Sequence, residues 1–104
     1  MQRGGFVYIL ASKTHTVLYT GVTSNLMLRI HQHLQKDIRQ SFTSRYNVFK
    51  LVYFCAYPTI KEAIADEKRI KAGSRKKKID LIESINPSWE DLWEKEVSKW
   101  STVL

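Results

Sequence analysis

Hydrophobic positions follow a two-residue or continuous strand-like pattern in some stretches of this chain and a helical period in others. Phe6 to Leu10 is β-branched, aromatic or aliphatic throughout, and Val17 to Val22 is similar, so both read as strands. Ser12 to Thr16 would be the hairpin loop between them. It offers no Gly or Asn for a position of positive φ, which leaves the turn type open. Ser24 reads as a helix cap, with Leu26, Ile30 and Leu34 as the buried stripe of a helix running to about Lys36. The polar stretch Asp37 to Asn47 reads as a mobile loop. Phe49 to Tyr57 is apolar at both alternating sets of positions, as in a buried strand covered on each side by helices. Pro58 ends it, and Thr59-Ile60-Lys61-Glu62 is a capping box that opens a helix to about Lys71, closed by Gly73. Ser74 can cap a further helix with Ile79, Ile82 and Ile85 facing inward, stopped by Asn86-Pro87. Ser88-Trp89-Glu90-Asp91 opens a last helix with Trp89, Trp93, Val97 and Trp100 on one face. The sum is three strands and four helices in the order ββαβααα, a small α+β domain.

Composition narrows the setting. A chain of 104 residues with 43% hydrophobic content forms one globular domain, residues 1–104, with a single modest core. No apolar run is long enough for a bilayer, and Met1-Gln2-Arg3-Gly4-Gly5 lacks the apolar stretch of a secretory signal, so the expected location is the cytoplasm. The single Cys55 sits in an apolar run and reads as a buried small hydrophobe. The net charge of +7 favours a polyanionic partner, because basic side chains that neutralise phosphates release condensed counterions. Lys68, Arg69, Lys71, Arg75, Lys76, Lys77 and Lys78 concentrate that charge in one stretch. In isolation it would read as a solvated helical face; with the rest of the chain close to neutral it reads as a nucleic-acid contact.

Several side chains carry possible chemistry. Tyr8 and Tyr19 come close together if the two strands pair as a hairpin, although either alone is an ordinary sheet aromatic. Gly21, on the same face as Tyr19, would let a ligand approach the backbone. Arg29 and His33 lie one helical turn apart, about 40° around the axis, and would share a target. His31 and His33 point to different faces, which rules out a zinc pair on that helix. His15 in the hairpin loop reads as solvated. Glu67 occupies an interior slot in the stripe Ala63, Ile64, Glu67, Ile70, so it needs a metal, a hydrogen-bonded partner or an ion pair, for instance with an arginine. Asp66 and Lys68 read as solvated. One cation-binding carboxylate, one guanidinium and paired phenols in a basic chain are the parts of a metal-dependent phosphodiester-cleaving site.

The residues Tyr8, Tyr19-Thr20-Gly21, Arg29, His33, Glu67 and Asn86 follow an order and spacing that resembles the GIY-YIG nuclease family, whose module also forms the amino-terminal part of an excinuclease component. The chain is most similar to short stand-alone bacterial members, on Val7-Tyr8-Ile9-Leu10, Leu18-Tyr19-Thr20-Gly21-Val22-Thr23 and Leu81-Ile82-Glu83-Ser84-Ile85-Asn86-Pro87. The first family triplet reads Phe6-Val7-Tyr8 and the second Tyr19-Thr20-Gly21; the substitutions bear on local packing and substrate fit, since the side chains able to do chemistry remain. The resemblance implies a three-stranded antiparallel sheet flanked by helices. It also implies an endonuclease acting on nucleic acid, with DNA favoured over RNA and a role in DNA repair. Glu67 would hold one Mg²⁺ or Mn²⁺ ion, and Tyr19 would take or relay the proton of the attacking water, with His33 as a competing base. Tyr8 would orient that water, Arg29 would stabilise the phosphate charge, and Asn86 would position the phosphate or serve simply as a helix C-cap. The Lys68 to Lys78 cluster would grip the flanking backbone.

Two other classes use the same features. A non-catalytic nucleic-acid-binding module would share the basic surface. The tryptophans of the last helix read first as core packing; a subunit of a repair complex, or a homodimer in place of a monomer, would use them as a docking stripe.

Overall fold

The computed structural model describes residues 4–35 and 48–100. The loop expected over Asp37 to Asn47 lies outside the described residues, as does the side chain of Leu34. Strands β1 (Gly5–Ser12), β2 (Leu18–Thr23) and β3 (Val48–Tyr57) form a three-stranded antiparallel sheet in the order β2-β1-β3. Helix α1 (Leu26–Gln35) follows the hairpin; α2 (Ile60–Ala72), α3 (Arg75–Ile85) and the short α4 (Leu92–Lys95) follow β3, and a 3-10 turn spans Val97–Lys99. The α+β class and the element order agree with the sequence pattern.

The central strand is β1, and it is buried on both faces. On one, Val7, Ile9 and Ala11 pack with Val52, Ala63, Ile70 and Ile82 under α2 and α3. On the other, Tyr8 and Leu10 pack with Leu26, Ile30, Leu51 and Val97 under α1 and the carboxy-terminal elements. This two-sided burial explains why β1 has no polar residue from Phe6 to Ala11. The edge strand β3 is buried over Leu51, Val52 and Tyr53, then emerges: Cys55 is half-buried, not enclosed as expected, and Ala56 is exposed.

Caps set the helix ends. Thr59 Oγ1 accepts from the Glu62 backbone N at 3.2 Å and donates to Glu62 Oε2 at 2.9 Å, and Ser74 Oγ accepts from Lys77 N at 3.1 Å. At α1 the cap is Asn25, whose Oδ1 accepts from Leu28 N at 3.1 Å; Ser24, the expected cap, is exposed beside it. Thr23 Oγ1 accepts from Asn25 N, and this small turn moves the helix frame one residue on.

Two expected stripes drift. Ile64 is 38% exposed and Ile85 54% exposed. Ile64 lies about 100° from Ala63 around the helix, at the edge of the covered face. Three isoleucines spaced by three turn back about 60° at each step, so Ile79, Ile82 and Ile85 cannot all face the sheet.

The expected long last helix is also shorter. Trp89 precedes it at φ 53, and the helix opens only after Asp91, whose carboxylate accepts from Trp93 N at 3.0 Å and from Leu51 N of β3 at 3.2 Å. Trp89 therefore does not share a face with Trp93 and Trp100. Its ring stacks on His15 at 4.4 Å in the first core, whereas the other two pack against the second core.

His15 supplies the turn conformation that the hairpin loop lacked in Gly or Asn, at φ 63. It is not solvated as expected: besides Trp89 it meets Lys50 Nζ through Nε2 at 3.0 Å. Arg75 donates from α3 to the backbone carbonyls of His15 and Thr16 and clamps the loop.

Candidate active site

The site is assembled across β1, β2, α1 and α2. Tyr8 stands opposite Gly21 in the β1–β2 register. A Cβ on Gly21 would lie 2.5 Å from Tyr8 Cζ and from its hydroxyl oxygen, so the glycine makes room for the Tyr8 ring and not for an incoming ligand, as the sequence suggested. Tyr19 is diagonal to Tyr8, with ring centroids 6.4 Å apart. Tyr8 is 1% exposed, whereas Tyr19 is only half-buried and presents the more open phenol.

Helix α1 brings Arg29 and His33 to the same phenols, as the one-turn spacing predicts. The buried His33 ring meets Tyr8 and Tyr19 edge-on at 6.1 and 5.7 Å. Its Nε2 hydrogen-bonds with the Tyr8 hydroxyl at 3.3 Å. The Arg29 guanidinium lies within interaction range of both tyrosine phenols, and its pKa is raised above the ordinary value, first by the Tyr8 hydroxyl and against the cost of burial. Burial pushes the Tyr8 phenol up; Arg29 opposes that rise, while the nearby charges of Tyr19 and Glu67 add to it.

Glu67 is buried at 8% exposure on the α2 face that also carries Ala63 and Ile70. It lies within electrostatic range of Tyr8, so the carboxylate belongs to the same cluster as the phenols and the guanidinium. Its partner is Lys71, with Nζ 2.8 Å from Oε2, and not an arginine. The Glu-to-Lys spacing of four that makes this pair is visible in the sequence, where Lys71 reads as part of the nucleic-acid contact. Asp66, expected to be solvated, accepts hydrogen bonds from the Tyr57 hydroxyl and from Arg69 Nε, the latter at 2.7 Å.

Asn86 is not aimed at this cluster. It is the C-cap of α3, and its buried carboxamide donates to the carbonyls of Val52 and Glu90 at 3.1 and 2.9 Å while accepting from Glu90 N at 3.0 Å. Both ends of the amide are committed to the joint between α3, β3 and the following loop, the structural role that the sequence had left open.

The basic cluster is also partly committed. Arg69 pairs with Asp66, Lys76 with Asp80, Lys78 donates to the Gly73 carbonyl at 2.7 Å, Lys71 holds Glu67 and Arg75 clamps the hairpin. Lys68 and Lys77 have no side-chain hydrogen bond or ion pair among the described residues.

The model of the GIY-YIG catalytic domain matches residues 4–80, more than half of the chain. The chain belongs to the GIY-YIG family. Its relatives include a UPF0213 protein of Clostridium perfringens, 38% identical over 93 residues that cover 89% of this chain and 97% of the relative. A UPF0213 protein of Oceanobacillus iheyensis is 34% identical over 80% of this chain and 94% of its own. The solution NMR structure of the UPF0213 protein from Bacillus halodurans superposes with a TM-score of 0.55 at 30% identity, covering 89% of this chain and 97% of that one. The GIY-YIG family carries nuclease-type function with nucleic acid as substrate. Among the described residues no helix is long and apolar enough to cross a membrane.

The GIY-YIG departures have visible consequences. Phe6, where the family triplet has glycine, packs its ring against Trp100 at 6.0 Å, and Trp100 in turn meets Phe54 at 5.5 Å. Thr20, in the middle of the second triplet, points to the opposite face from Tyr19; its hydroxyl is buried without a hydrogen-bond partner among the described residues.

Proposed function

We propose that this protein is a metal-dependent endonuclease that hydrolyses phosphodiester bonds in nucleic acid, with DNA favoured on the likeness to the excinuclease module. The observation that carries the reading is the cluster of Tyr8, Tyr19 and His33, with the Arg29 guanidinium and the Glu67 carboxylate in the same electrostatic neighbourhood.

The donor set fits a magnesium-like ion. Among the described residues no group of three or more His, Cys, Asp or Glu converges. A lone carboxylate in an apolar stripe suits Mg²⁺ or Mn²⁺, ions that keep several waters and use one or two protein carboxylates. Glu67 would hold the ion, which when bound supplies Lewis-acid stabilisation of charge on the phosphate.

The side chains divide the remaining work. The Tyr8 hydroxyl and His33 Nε2 share a hydrogen bond at 3.3 Å, and the Arg29 guanidinium interacts electrostatically with the same phenol. Tyr8, kept protonated by burial, holds the His33 ring in place through that hydrogen bond. Tyr19, the more open phenol, would accept or relay the proton of an attacking water, with His33 as the competing base. Arg29, a planar fork of donors, would stabilise the non-bridging oxygens as charge builds in the pentavalent transition state.

The test incubates pure protein with branched, single-stranded and duplex DNA and RNA in Mg²⁺ or Mn²⁺, beside Glu67→Gln and Tyr19→Phe. Cleavage by the parent and a loss of about a hundredfold or more in each variant are expected. A parent that binds but leaves every substrate as intact as the variants do would identify a non-catalytic binding module.

A further inference from the structure

The ion pair at the centre of the site is lopsided. The Glu67 side chain is 11% exposed and the Lys71 side chain 57%, yet Lys71 Nζ and Glu67 Oε2 are 2.8 Å apart. An ionised carboxylate in an interior stripe requires a counter-charge at all times, because leaving it unpaired costs several kcal/mol. One member of the pair is fixed by packing and the other stands on a flexible stem at the surface. Any exchange of partners at this carboxylate therefore moves Lys71 and leaves Glu67 in place. Lys71 also lies close enough to Tyr19 for their charges to interact, so an ammonium released from Glu67 remains beside the phenol that faces the substrate.

We propose that Lys71 is an exchangeable counter-ion: its ammonium holds the Glu67 carboxylate in the cation-free protein, gives it up when a divalent cation binds, and is then free for a phosphate oxygen of the substrate. This rests on the assignment of Glu67 as metal ligand. It separates Lys71 from the remainder of the basic run. Lys76 and Arg69 pair with carboxylates outside the cluster, and Lys78 with backbone carbonyls, so none of them is coupled to occupancy of the site. The exchange also joins two events that would otherwise be independent, since filling the carboxylate is what makes a further positive charge available for nucleic acid.

The experiment measures Mn²⁺ affinity by electron paramagnetic resonance of the free ion, without nucleic acid and at fixed ionic strength. It compares the parent, Lys71→Met, Lys71→Gln, Glu67→Gln and Lys61→Met, the last removing an exposed charge elsewhere on α2. Loss of the competitor should tighten Mn²⁺ binding roughly three- to tenfold in both Lys71 variants, as expected for release of one partly exposed ion pair. Lys61→Met should stay within about twofold of the parent, on the same screening argument. At saturating Mn²⁺ the Lys71 variants should then show a KM for a short DNA substrate raised severalfold, with kcat changed less. Lys71 variants that bind Mn²⁺ no more tightly than the parent would overturn the exchange while leaving the nuclease reading intact. An unchanged KM at saturating Mn²⁺ would overturn the phosphate contact. Glu67→Gln binding Mn²⁺ as the parent does would remove the metal-ligand assignment, and this proposal with it.

Discussion

The Tyr8 ring lies across the backbone of Gly21, its direct partner on the neighbouring strand, at a spacing that leaves no room for a β-carbon. The glycine in the second triplet is thus a packing requirement of the tyrosine in the first. Its role is steric, since no glycine among the described residues has a positive φ. Gly21→Ala should push the phenol off Arg29 and His33, destabilising the fold by about 1–3 kcal/mol as other overpacked sites do. Cleavage should fall with it. Urea denaturation and a cleavage assay measure both, and a variant with parental stability would show that Tyr8 moves at no cost.

Arg29 interacts with the phenols of both Tyr8 and Tyr19, and its planar fork presents its donors in a fixed geometry. Arg29→Lys retains the charge but offers one compact ammonium. Single-turnover cleavage at saturating Mn²⁺ should fall by about a hundredfold in Arg29→Lys, the scale of losing one preorganised donor to the transition state. A rate within a few-fold of the parent would mean that charge alone suffices and that the fork is incidental.

Thr20 offers a stabilising change beside the site. Its hydroxyl is buried with no partner among the described residues, and the side chain lies on the sheet face opposite Tyr19. Thr20→Val has nearly the same shape and removes the polar atom, so it should raise unfolding stability by about 1 kcal/mol. Activity should be unchanged, because Tyr19 and Gly21 keep their register. A measured loss of stability would indicate a hydrogen bond to an ordered water.

The parts of the site that sequence could reveal were those set by local periodicity. Strand alternation brought Tyr8 and Tyr19 to one face, helical spacing joined Arg29 to His33, and the interruption of an apolar stripe singled out Glu67. Thr59 and Ser74 were legible as caps because their partners lie three residues away. Ser24 and Asn25 are both good cap residues, and only the Thr23 turn decides between them. Trp89 matched the helical spacing of Trp93 and Val97, but Asn86 and Asp91 impose a different local path through bonds to β3 and the adjoining loop. Arg75 was read as a phosphate contact because its actual acceptors are carbonyls fifty-nine and sixty residues away in sequence. No local pattern carries a contact of that range.

The contact between His15 and Lys50 gives the fold a defined pH response. Burial, and then the Lys50 ammonium, hold the His15 imidazole below the ordinary histidine value of 6.5. Lys50 Nζ can donate to Nε2 only while the ring is neutral, so protonation removes a hydrogen bond and sets two cations side by side. Between the lowered native pKa and 6.5 the unfolded chain binds more protons than the folded one, and stability therefore rises with pH across that window. The contribution is complete above the unfolded value and disappears as pH falls through the native one. His15→Asn removes the titration and tolerates the left-handed backbone at this position, φ 63. Urea midpoints measured from pH 8 down to 5 should fall more steeply for the parent than for His15→Asn, with the difference developing below about pH 6.5. Lys50→Met should flatten the parental curve in the same window, because it removes the cation that disfavours the imidazolium. Parallel curves for all three proteins would mean that the hairpin loop opens on acidification without loss of stability, and that the stack of His15 on Trp89 does not hold it closed.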